Sequence, residues 1–187
     1  MATSVSICSN ALLMVGAGPI SSLSENTDQA RICSNLYQPV VDAVMRRHTW
    51  NCCVKRVILA PLADVPAFDY SAQFPLPSDW VRTIQVGEYG NELGYITEGR
   101  KILANTTALS LRYVARVSED QWDASMIDVV TLAMAARIAY PITKSSALAQ
   151  TLEGKLQYEF KFARAVDGQD DPPETLGDFP SFTSRFS

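Results

Sequence analysis

Apolar residues recur along the first fifty positions at spacings of three and four: Val5, Cys8, Leu12 and Val15, then Ala30, Cys33, Tyr37, Val40 or Val41, Val44 and His48. Those spacings line one face of an α-helix, so two helices are predicted. Thr3 or Ser4 can cap the first, and Gly16-Ala17-Gly18-Pro19 ends it. Thr27 or Ser24 can cap the second after a polar connection. Pro39 falls inside the second pattern, where a missing N–H and a ring clash cost about 3 kcal/mol, so a kink before it is expected.

From Cys52 to Val117 the period changes, and β-branched and aromatic residues alternate between turn signals. Strands are predicted at Thr83–Val86, Tyr95–Thr97, Lys101–Ala104 and Leu109–Val117, with Glu98-Gly99-Arg100 as a hairpin turn. In the last of these Leu109, Leu111, Tyr113 and Ala115 form one face, and Ser110, Arg112, Val114 and Arg116 form a wet one. Helical spacing returns at Ile127, Val130, Met134 and Ile138, capped by Asp123 or Ser125 and ended at Tyr140-Pro141. A fourth helix starts at Ser145 or Ser146, carries Leu148, Leu152, Leu156, Phe160 and Ala163 on one stripe, and stops at Asp167-Gly168.

The expected fold class is α+β, mainly α. Residues 1–51 and 118–167 form a four-helix bundle, residues 52–117 form a β-rich insertion between its second and third helices, and residues 168–187 are an extended C-terminal tail. Trp50 and Trp80 stand where helical spacing gives way to strand spacing, and each carries a large apolar area, so both are expected to be structural anchors.

Composition narrows the function classes. Hydrophobic residues at 47% and charged residues at 19% exclude a disordered chain, and the longest apolar runs, such as Val129 to Ala136, are too short to predict a membrane span. The first residues lack a basic segment followed by an apolar run, so assembly in a reducing cytoplasm is expected, with Cys8, Cys33, Cys52 and Cys53 as thiols. Net charge is −4, and all of it lies in residues 167–187, where five acidic residues face only Arg185. The neutral remainder has no basic footprint for sequence-specific nucleic-acid binding.

Candidate chemistry is sparse. His48 is the only histidine, and its place at a helix end suits a cap or a packed ring better than a ligand. Adjacent Cys52-Cys53 has neither metal-ligand nor redox spacing. Gly16-Ala17-Gly18 follows a helix and lacks the third glycine of a dinucleotide site. Asn105-Thr106-Thr107 reads as a turn, and Asp120 and Asp123 suit a helix start. No catalytic residue, cofactor or metal is predicted, and the chain is read as a non-enzyme.

One succession is more specific: Leu36-Tyr37, Val40-Val41-Asp42-Ala43-Val44, Arg47-His48-Thr49-Trp50-Asn51, Lys55-Arg56, Leu59-Ala60, then Phe74-Pro75-Leu76-Pro77-Ser78-Asp79-Trp80-Val81-Arg82. It resembles the tail tubular protein A family of short-tailed bacteriophages, which form the adaptor between portal and tail nozzle. More loosely, the resemblance runs from Cys8-Ser9-Asn10-Ala11-Leu12 to Val166 and leaves the last twenty or so residues uncovered.

The resemblance implies a structural virion protein at the head–tail interface, assembled in the bacterial host cytoplasm. Its copies form a ring of twelve bound to the portal protein above and the tail nozzle protein below, with tail fibres as a further partner. DNA passes through the lumen without sequence-specific binding, and no membrane partner is implied. The uncovered tail holds Phe179, Phe182 and Phe186 at spacings of three and four after an acidic, proline-bearing stretch, which reads either as a frayed terminus or as an anchor for the portal. Two alternatives stand beside this: a head-completion connector of a long-tailed phage, and a small cysteine hydrolase using His48 with Cys52 or Cys53.

Overall fold

The computed structural model describes residues 2–88 and 90–170. Among these, the helices are α1 (Ser4–Met14), α2 (Asp28–Arg47), α3 (Ala124–Thr143) and α4 (Ser146–Asp167). Between α2 and α3 in the chain lie β1 (Val54–Leu59), β2 (Ala72–Pro75), β3 (Trp80–Glu88), β4 (Asn91–Glu92), β5 (Tyr95–Glu98), β6 (Lys101–Ala104) and β7 (Leu109–Ala115). The protein is a mixed helix-and-sheet chain of the α+β class.

Each helix begins on a side-chain oxygen that satisfies a free backbone N–H. Thr3 accepts from Ser6 N at 3.1 Å while Ser6 Oγ accepts from Thr3 N at 2.9 Å, a reciprocal box. Thr27, Asp123 and Ser145 do the same for Ala30, Met126 and Leu148.

Helix α3 is the hub, packing against α1, α2 and α4. Its buried residues, from Met126 to Ala139, occupy most of its circumference rather than one stripe. It is also long and apolar enough to cross a membrane by length and composition alone, a test that a buried core helix passes equally. Thr131 lies within the apolar stretch, and its hydroxyl donates to Ile127 O at 2.8 Å and stays inside the helix. Half of the apolar stretch is buried against the rest of the molecule.

Two helices carry a proline inside them, and at Pro141 the chain departs from expectation. Helix α2 is one continuous element through Pro39, which is exposed. Helix α3 continues past Pro141 to Thr143 and ends at Lys144 in the left-handed region (φ 58°), whose N–H donates to Tyr140 O at 2.9 Å. Thr143 Oγ1 adds a bond to Ala139 O at 2.7 Å. Local bonds on both sides of the proline hold the last turn together.

The strands form two antiparallel sheets, one ordered β1-β7-β3-β4 and the other β2-β6-β5. Gly99 and Arg100 close the predicted hairpin, since Glu98 pairs with Lys101 and Gly99 adopts φ 58°. Strands β1, β2 and β4 were outside the predicted set. In β1 the pair Lys55-Arg56 breaks the apolar alternation, leaving only Val57 and Leu59 packed on the core side. In β7 Val114 is fully buried rather than wet, as part of the apolar cluster shared by helices and sheets.

One apolar cluster unites helices and both sheets, running from Ile7 and Leu12 through Trp50, Phe74 and Ile102 to Leu111, Met134 and Phe160.

Candidate functional site

The chain leaves α2 at Arg47 and enters the sheet at Val54, and the turn between them is held by the end of α4. Asp167, with 5% of its surface exposed, sits at the centre. Its Oδ2 accepts from His48 Nε2 at 2.8 Å, its Oδ1 accepts from Asn51 N at 3.1 Å, and its backbone carbonyl accepts from Asn51 Nδ2 at 2.8 Å. A buried carboxylate is tolerable only with its lone pairs filled in this way. The His48 ring meets Trp50 edge to face at 4.9 Å, Trp50 meets Phe160 at 5.9 Å, and the Arg47 guanidinium lies 4.4 Å over the Phe160 ring. Two distant segments, residues 47–51 and the end of α4, thus close one aromatic and polar lock.

The motif Leu76-Pro77-Ser78-Asp79-Trp80-Val81-Arg82 builds the neighbouring joint. Val81 O accepts from Arg46 Nη1 at 2.7 Å, Arg82 donates to Thr49 Oγ1, and Asp79 O accepts from Arg116 N at 2.7 Å. Asp79 also accepts from Lys55 Nζ at 2.8 Å and from the Tyr113 hydroxyl at 3.1 Å. Burial opposes ionisation of Asp79, but the bonds from Lys55 and Tyr113 outweigh it and hold the carboxyl below its usual range. Burial and the facing Asp79 push Tyr113 up to about 12. On the other side Arg116 grips Asp42 of α2 with two bonds of 2.9 and 2.8 Å, and the Tyr37 hydroxyl donates to Glu119 at 2.7 Å.

The cysteines are free thiols. Cys52 Sγ lies 3.8 Å from Cys53 Sγ, 3.8 Å from Asp123 Oδ2 and 3.7 Å from Met126 Sδ. The contact with Cys52, followed by burial, pushes the Cys53 thiol far up, while Cys52 is lowered by the same contact against the effect of its own burial. His48 spends Nε2 on Asp167, and among the described residues no hydrogen bond joins its ring to either sulphur. No group of three potential metal ligands occurs among the described residues.

The two predicted anchors differ. Trp50 is fully buried and its Nε1 donates to Val44 O at 3.2 Å, whereas Trp80 is half-buried and donates to Thr83 Oγ1 at 3.1 Å. Trp122, not singled out in the sequence, is buried and donates to Val117 O at 3.1 Å, making a third indole at a junction. Phe179, Phe182 and Phe186 lie outside the described residues.

Sequence reasoning also missed an open cavity of about 650 Å³ on the outer face of the larger sheet, lined by Arg56, Ile58, Gln85, Glu88, Ser110 and Arg112 among others. Arg56 and Arg112 stand directly opposite each other in the β1–β7 register. Only that pairing makes the site, and pairing is not visible along one strand.

In comparison with known proteins, the chain matches no protein-family model and none of the curated sequences.

Proposed function

We propose that this protein is a structural adaptor of a phage virion, whose copies form a ring joining the portal to the tail nozzle and leave a lumen for DNA. The observation that carries the reading is where the resembling residues fall. Asp42, Thr49, Trp50, Lys55, Asp79, Val81 and Arg82 belong to the succession that resembles the adaptor family, and their bonds tie α2 and the turn after it to the strands and fix the entry to β3. A pattern devoted to fixing the angle between two structural blocks suits a protein whose work is to hold partners in a set geometry. The same blocks are proposed as a four-helix bundle (residues 1–51 and 118–167) with residues 52–117 as its β-rich insertion.

In this reading Phe179, Phe182 and Phe186 anchor the subunit to the portal. Exposed Tyr158 and Phe162, one turn apart on α4, supply apolar surface for a neighbouring copy. Electron microscopy of the purified protein with and without its portal tests the proposal. Rings of about twelvefold symmetry on the portal are expected, and a protein that neither forms rings nor binds the portal would end it. Truncation after Asp167 separates the parts: a folded subunit that binds the portal poorly is expected.

A further inference from the structure

The cavity on the outer sheet face has an unusual charge arrangement. Arg56 and Arg112 are cross-strand partners on one face of an antiparallel pair, where side chains stand about 5 Å apart at their β-carbons and like charges destabilise each other. The Nε of Arg112 is buried, and among the described residues it has no hydrogen-bond partner. Gln85, the partner of Arg112 on β3, adds a neutral amide, and Glu88 is the one carboxylate on the lining. Beside the arginines Ile58 leaves 74% of its surface exposed. Two guanidinium groups, an unfilled donor and an apolar wall describe a seat for a carboxylate-bearing segment that also carries an apolar ring.

We infer that the occupant is the chain's own C-terminal segment, residues 171–187, folded back onto the sheet of the same molecule. Its sequence is complementary to the cavity: Asp171, Glu174 and Asp178 against a single Arg185, with Phe179, Phe182 and Phe186 among them. Its carboxylates bridge Arg56 and Arg112, and a phenylalanine ring lies against Ile58 and a guanidinium face, as Phe160 already does beneath Arg47. A ring needs only about 150 Å³ of apolar space, well within this cavity.

The path is short. Helix α4 ends at Asp167, which is bonded to Asn51, and Asn51 leads directly into β1. After the single turn Asn51–Cys53, the strand from Val54 to Ile58 covers roughly 13 Å at about 3.3 Å per residue. Seventeen residues can extend to about 56 Å, so the segment reaches the cavity with length to spare. A tether this short gives an effective concentration on the order of millimolar, which favours the intramolecular site over a second copy. The inference does not rest on the ring reading, since a subunit that never meets a portal can hold its tail this way. Where a portal is present, it would have to draw the same phenylalanines off the sheet.

The test uses the full chain with benzoylphenylalanine in place of Phe182, mixed as light and heavy isotope forms and irradiated as free subunit. Cross-links to peptides spanning residues 56–59 and 110–112, within one isotope form, are expected. They should fall at least fivefold in the Arg56→Glu/Arg112→Glu protein and in 0.5 M salt, and persist in the Arg56→Lys/Arg112→Lys protein. Links scattered over the helices, links joining light to heavy chains, or yields indifferent to charge reversal and to salt would each overturn the inference. If charge reversal prevents folding, as judged by circular dichroism, the lysine pair and the salt series on the parent protein decide it.

Discussion

At the scale of single residues, the junctions depend on a few side chains that are both apolar and hydrogen-bonded. Trp50 fills the space between α2 and α4 and satisfies the Val44 carbonyl, so Trp50→Ala should cost about 3 to 5 kcal/mol. Trp80→Ala should cost distinctly less, because Trp80 keeps part of its ring in water. Urea unfolding of the two variants checks the order, and equal losses would contradict it. Asp79 supplies a pH dependence with a definite sign. Its folded-state carboxyl is held below the unfolded value, so its stabilisation is complete above about pH 4 and is lost as pH falls through the depressed folded value. Asp79→Asn should therefore lower stability at neutral pH and flatten its decline between pH 5 and pH 2. A variant whose acid limb parallels that of the parent would show that the Lys55 and Tyr113 bonds carry no linkage.

Among the elements, α3 matters most because three helices rest on it. Its start depends on Asp123, whose carboxylate accepts from Met126 N at 2.6 Å and sits at the positive end of the helix. Asp123→Ala should cost about 1 to 2 kcal/mol in denaturant unfolding, with Asp123→Ser recovering most of the loss. The sheets show how partners override local signals. Alternation predicted β7 well but placed Val114 in water, whereas the folded chain includes it in the core shared by helices and sheets. Pro141 likewise looked like a stop in sequence, yet the bonds of Thr143 and Lys144 carry the helix beyond it.

For the whole molecule, the apolar cluster crosses from the helices into both sheets without a break. Unfolding should then be a single transition, with tryptophan fluorescence and far-ultraviolet circular dichroism tracing one curve. Trp50, Trp80 and Trp122 all stand at helix–sheet junctions, so fluorescence would move first if the sheets opened separately. Two resolved transitions would mean that the shared core does not couple the helices to the sheets.

Periodicity along the chain was enough to place all four helices, their capping residues to within a choice of two, and four of the seven strands. These are local matters: the spacing of apolar side chains and the need of the first N–H groups for an oxygen both act within a few residues. Strand β1 escaped because its basic pair hides the alternation, and its place at the sheet edge follows from pairing with β7, more than fifty residues away. The same holds for the sites. His48 and Trp50 could be read as a packed helix end, but the lock they form needs Asp167, 119 positions beyond His48. The Arg56–Arg112 cavity exists only because antiparallel register sets two strands opposite each other. Contacts between residues far apart in the chain depend on how elements pack, and packing is a property of the folded whole.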